Sequence, residues 1–196
     1  MLLEQDPFSV IRRDSASVSE GEPVTFRLKI DEPGIFALQV GVRQNIVCII
    51  QPGENIHVEA DIHNFPGSIR VEGSPETQWL QNFYAYSEKN KKRVDSLQTI
   101  MEESQFDPDF FATTLRLDSL FSTIWENQRA YEKKVIHEKP ASLASLLILH
   151  YNFGAKVVLS VHDDSTEYLL VDRALKARYP NNKHTLFFQQ WLQEVK

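Results

Sequence analysis

Between residues 8 and 73 the apolar positions come in short runs, FSVI, VTFRLKI, GIFALQV, NIVCIIQ, NIHVEADI and SIRVEG, separated by SEGEP, DEPG, RQ, PGE and NFPG. Gly and Pro in those separators supply the backbone angles that tight reversals need. Within VTFRLKI, Val24, Phe26, Leu28 and Ile30 alternate with Thr25, Arg27 and Lys29, and this period of two predicts a half-buried strand. Several short strands at even spacing predict an antiparallel β-sandwich or open barrel over residues 1–73.

At Gly73 the period changes. Ser74, Pro75 and Glu76 read as an N-cap, a first-turn proline and an early acid, each suited to the unpaired N–H groups and positive end of a new helix. Trp79, Phe83, Tyr86, Asn90, Val94, Leu97 and Met101 then recur at steps of mostly four and three, one stripe along a long helix. Asp107 and Pro108 repeat the start signal. Phe110, Thr114, Leu117, Phe121, Ile124, Gln128, Tyr131 and Val135 form a second stripe. The short QFDP link between the stripes predicts an antiparallel helical hairpin over 75–137. Past the break at Pro140, three shorter helices are predicted within 140–195, in PASLASLLILHYN, SVHDDSTEYLLVDRALKARY and NKHTLFFQQWLQEV. Asp163 or Asp164 would cap the second of these and Asn181 or Asn182 the third, while AKVVLS reads as strand or buried connector. The class is therefore α+β, a β domain over 1–73 followed by an all-α domain over 74–196.

Composition adds little to that outline but narrows the chemistry. The chain is 42% hydrophobic and 24% charged, which supports a packed core over disorder. A formal charge of -6 opposes a nucleic-acid partner, because phosphate binding runs on clustered Lys and Arg. The one basic knot, Lys89, Lys91, Lys92 and Arg93, reads as the solvated face of a helix. No apolar run reaches the roughly 18 residues of a membrane span. MLLEQDPF shows neither the basic nor the apolar part of a signal peptide.

Three constellations carry candidate chemistry. Cys48, the only cysteine, lies among Ile46, Val47, Ile49 and Ile50, a setting that makes a thiol a small core hydrophobe with a raised pKa. His57, Glu59, Asp61 and His63 fall on one face of a predicted strand and are suitable zinc or iron ligands. Residues two apart on a strand are about 6.6 Å apart, so at most an adjacent pair could share an ion, and a solvated polar face is the plainer reading. Ser160, His162 and Asp163 have the residue types of a hydrolase triad, but Asp163 or Asp164 is better explained as a helix cap. No C-x-x-C, H-E-x-x-H, phosphate loop or dinucleotide motif occurs, so no catalytic residue, cofactor or metal is assigned. Most aromatics sit on the helical stripes. Tyr84 and Trp125 lie beside them and are the candidates for a surface or ligand patch.

VTFRLKIDEPGIFALQV, IIQPGENIHVEAD and VEGSPETQWLQNF, followed by PASLASLLIL and VDRALKARYPNNKHTLFFQQWL, resemble in order and spacing a known envelope-protein pattern. It is that of the β-rich N-terminal domains and helical linker, of unknown function, that precede the redox domain in thioredoxin-like (TlpA-like) thiol-disulfide interchange proteins of Gram-negative cell envelopes. The resemblance implies a periplasmic location, a secretion or lipoprotein signal outside this chain, and a thioredoxin-like domain in cis or an envelope protein as partner. The family's chemistry belongs to a C-x-x-C pair that these residues lack, and Cys48 matches a strand position. The leading expectation is thus a non-catalytic accessory module. Its rivals are a stand-alone envelope protein that binds a small ligand or glycan, and a metal-dependent enzyme built on the His57 to His63 face.

Overall fold

In the computed structural model of the protein, residues 1–17, 19, 21–41 and 44–195 are described. The chain opens with a tight hairpin, β1 (Leu2–Asp6) and β2 (Ser9–Asp14), turned by Pro7 and Phe8. The Asp6 carboxylate accepts the Phe8 N–H at 3.2 Å, the local bond by which Asp favours turns. Two longer strands follow, β3 (Gly34–Val40) and β4 (Gln44–Ile50), and the antiparallel sheet runs β2-β1-β3-β4. A separate ribbon pairs β5 (His57–Glu59) with β6 (Arg70–Glu72).

Two strand expectations are corrected. The first strand is not FSVI alone: the chain's start supplies β1, which lies inside the sheet. VTFRLKI forms no ladder, although Val24, Phe26, Leu28 and Ile30 are half-buried and Thr25, Arg27 and Lys29 exposed. A period of two reports which side of an extended segment faces protein, not whether a neighbour pairs with it. Both edges of β3 are already taken, by β1 and β4.

Gly73 has φ +80°, and a Cβ there would stand 1.9 Å from the Asn55 carbonyl oxygen, so only glycine fits at the switch from sheet to helix. Ser74 then caps α1 (Pro75–Glu103), its hydroxyl accepting the Thr77 N–H and donating to the Ile49 carbonyl. Helix α2 (Phe110–Glu138) returns alongside, as the two stripes predict. Asn90 and Gln128, two polar members of the stripes, face each other at 3.0 Å. Next come α3 (Leu143–Leu149), a tiny hairpin of β7 (Asn152–Phe153) and β8 (Lys156–Val157), α4 (Ser165–Arg178) and α5 (Lys183–Glu194).

The α+β order is as expected, and one core runs across the sheet-to-helix junction. Ile35 and Ile49 pack with Leu80, Phe83, Ile136, Leu149, Tyr168 and Phe188. The two ends of the chain are tied as well. The buried Glu4 carboxylate accepts from Arg13 on β2 and from Lys183 at the start of α5. Burial alone would raise the Glu4 pKa, and the hydrogen bonds from Lys183 and Arg13 outweigh it, so the group stays below its ordinary value.

Candidate functional site

The outer edge of β4 is where the sheet meets α1. Thr77 acts there as a substitute strand: its hydroxyl accepts the Ile49 N–H and donates to the Ile49 carbonyl, each at 2.9 Å. One turn on, the Gln81 amide donates to the Val47 carbonyl at 2.7 Å. These side chains satisfy edge groups that would otherwise be left open.

Beyond Gln81 the two elements part, and a groove of about 760 Å³ opens between them. Asn45 and Val47 of β4 form one side. Phe65, Pro66, Gly67 and Ile69 form another, and α1 contributes Gln81, Tyr84, Ala85, Glu88 and Ser96. Tyr84 and Tyr151 lie at its base with ring centroids 6.1 Å apart, and burial, followed by the neighbouring Tyr151, pushes the Tyr84 phenol up to about 12. The Tyr84 ring is therefore neutral across the physiological range.

Lys89, Lys91, Lys92 and Arg93 all line this groove. Lys91 stands over the Tyr151 ring, 5.1 Å from its centroid, a cation–π contact. Among the described residues none of the four is in an ion pair. Their assignment to a merely solvated face therefore omitted what lies opposite. Glu88 is the single carboxylate among the lining residues. The groove can hold an anionic group against an aromatic, partly apolar base.

A second polar cluster lies inside the hairpin. Gln128 accepts from Asn90, donates to the Ser87 hydroxyl at 2.8 Å and donates to Glu132 at 3.0 Å. Glu132 is wholly buried and its second oxygen has no partner. Burial raises its pKa to about 8, the Gln128 bond offsetting part of the rise and the charge of Asp164 adding to it. Asp164, also buried, accepts from Arg129, from Lys133 at 2.6 Å and from the Ser160 N–H at 3.1 Å. This network ties α2 to α4 from within. Being buried, it fixes helix register and offers no opening to a substrate.

The other candidates from the sequence do not converge. Cys48 is buried and desolvation pushes its thiol up to about 12, too high for a nucleophile. The strand expected through His63 ends at Glu59. His57 and Glu59 pair with each other at 3.2 Å on β5, while Asp61 caps a single 3-10 turn, Ile62–Asn64, by accepting the His63 N–H. Among the described residues no group of three or more His, Cys, Asp and Glu could hold a metal ion. The Ser160 hydroxyl bonds Asp163, in a turn ahead of α4, and not His162. Asp164 occupies the cap position of α4 without a capping side-chain bond, its carboxylate being committed to α2. Trp125 packs edge-to-face on Phe153, 6.0 Å away, beside Ile124 and Val158, and does not line the groove. Tyr84 does.

Compared with protein-family models, curated proteins and solved structures, the chain matches none of them. The groove is thus read from its own chemistry. Asn45, Val47, Phe65, Ile69 and Tyr151 were missed in the sequence because they come from three separate segments. The local signals were Tyr84 beside its stripe and the crowding of four cations within five residues, 89 to 93.

Proposed function

We propose that this chain is a non-catalytic interaction module that serves a thioredoxin-like redox domain at the periplasmic side of a Gram-negative cell envelope. The resemblance of its segments to the accessory domains of such proteins motivates the setting. The observation that carries the binding role is the groove, where aromatic rings, a strand edge and unpaired cations share one concave surface. The lone thiol, buried and held near 12, suits a core residue better than a redox centre. The redox domain is proposed in cis or on a partner chain.

Two measurements test the reading. The reading frame continuing past Lys196, or a frame adjacent to it, should encode a thioredoxin-like domain with a C-x-x-C pair; finding none in either place contradicts the reading. The purified chain should show no insulin disulfide reduction, and turnover that disappears in Cys48→Ala would equally contradict it.

A second reading is a stand-alone envelope protein that binds a small ligand or glycan, and the presence of Tyr84 at the base of the groove favours it. Calorimetric titration with small aromatic carboxylates and oligosaccharides separates the two. Binding that vanishes in Tyr84→Ala supports the second reading, and no heat from either class removes it.

A further inference from the structure

Strand β4 has two kinds of outer edge. In an antiparallel strand, alternate residues turn both their N–H and C=O to the same side. Ile49 turns both to α1, where Thr77 and Ser74 take them. By the same alternation Val47 and Asn45 face outward, and the Val47 carbonyl does so visibly, accepting from Gln81. The Val47 N–H and the outward groups of Asn45 are then left at the groove that both residues line. A strand edge left open inside a walled groove is a template for one more strand.

The dimensions suit that occupant. Lining residues on α1 run from Gln81 to Ser96, about 22 Å along the helix at its usual rise. An extended peptide advances about 3.3 Å per residue, so six or seven residues cover that length. Charge selects its composition. Lys89, Lys92 and Arg93 are exposed, Lys91 is held on Tyr151, and Glu88 is the lone opposing charge. An anion without strand-like backbone would satisfy the cations and leave the edge groups of β4 unused.

We propose that the groove binds an extended acidic peptide segment of a partner protein, which adds as a strand to the edge of β4 at Asn45 and Val47 and sets its carboxylates against Lys89, Lys91, Lys92 and Arg93. This deepens the interaction-module reading and rests on the same groove.

The test is selection of random ten-residue peptides displayed against the intact chain. The enriched peptides should be acidic and free of proline. Each should weaken about tenfold or more when alternate backbone nitrogens are methylated, since that removes the strand hydrogen bonds and keeps the charge. Lys89→Glu, Lys92→Glu and Arg93→Glu combined change only exposed side chains and should also cost about tenfold or more. Amide exchange of Val47 should slow in the complex. Selection that enriches nothing or non-acidic peptides, N-methylated peptides that bind equally well, or protection appearing on Val10 to Arg12 of β2 overturns the proposal. Binding of anionic lipid vesicles that peptide cannot displace does so too. If acidic peptides bind and no C-x-x-C domain accompanies the gene, the groove assignment stands and the envelope-redox setting falls. If such a domain is present and the groove ignores peptides, only the strand-addition proposal falls.

Discussion

Cations cluster on both long helices, and what faces them separates the two clusters. On α2, Arg129 and Lys133 converge on the buried Asp164, and Lys133 also reaches Glu167 at 3.3 Å. Burial alone would lower the Lys133 pKa, but its bonds to Asp164 and Glu167 raise it above the ordinary value. On α1, Lys89, Lys91, Lys92 and Arg93 meet no carboxylate partner among the described residues and border an open groove. Only the α1 cluster stands out in the sequence as a run of cations. The α2 cluster is spent on holding helices together, while the α1 cluster is free for a ligand.

Removing the acceptor on the α2 side should have the largest effect. Asp164→Ala leaves two partly buried cations without their common partner and should cost about 3 kcal/mol of stability. Urea denaturation checks this. The Lys92→Glu and Arg93→Glu changes on α1 should stay within about 0.5 kcal/mol, as expected of surface positions. Equal losses would erase the distinction between the clusters.

Next in size is Glu132→Gln. Because burial holds the folded-state pKa of Glu132 near 8, above its ordinary 4.5, the folded protein retains a proton that the unfolded chain releases. Stability therefore falls as pH rises from about 4.5 to about 8 and levels off above that. The substitution removes the titration, so it should raise Tm by about 5 °C at pH 8.5 and by almost nothing at pH 5. A gain that is the same at both pH values would contradict the proposed burial cost.

A smaller effect sharpens the contrast between the covered and open ends of β4. Thr77→Val keeps the side-chain volume but strips the Ile49 N–H and C=O of the hydroxyl, for an expected loss of about 1–2 kcal/mol. Calorimetry measures it, and amide exchange at Ile49 should rise while that at Val47 changes little. If Val47 responds as strongly as Ile49, the edge is not divided as described.

Much of the fold was legible in the sequence because it rests on periodicity. The helix stripes, the Ser74 start and the Gly73 switch all involve residues near one another in sequence, and the structure follows them. Strand β1 was not legible because one of its inward positions is Glu4, a carboxylate made tolerable by Lys183 at the far end of the chain. The segment from Val24 to Ile30 shows the converse, a clean alternation that joins no ladder among the described residues. The run from His57 to His63 kept its period only to Glu59, because Asp61 prefers to cap a turn. For the groove, Tyr84 was visible beside its stripe. The facing residues Val47, Phe65 and Tyr151 become neighbours of it only in the folded chain.

The most direct test of the division between committed and free cations is an NMR titration of the intact protein with hexaglutamate. Amide shifts should concentrate on Asn45, Val47, Tyr84 and Lys89 to Arg93, fade with added salt, and spare Arg129 and Lys133. Shifts centred on Arg129 and Lys133, or none in the groove at low salt, would contradict it.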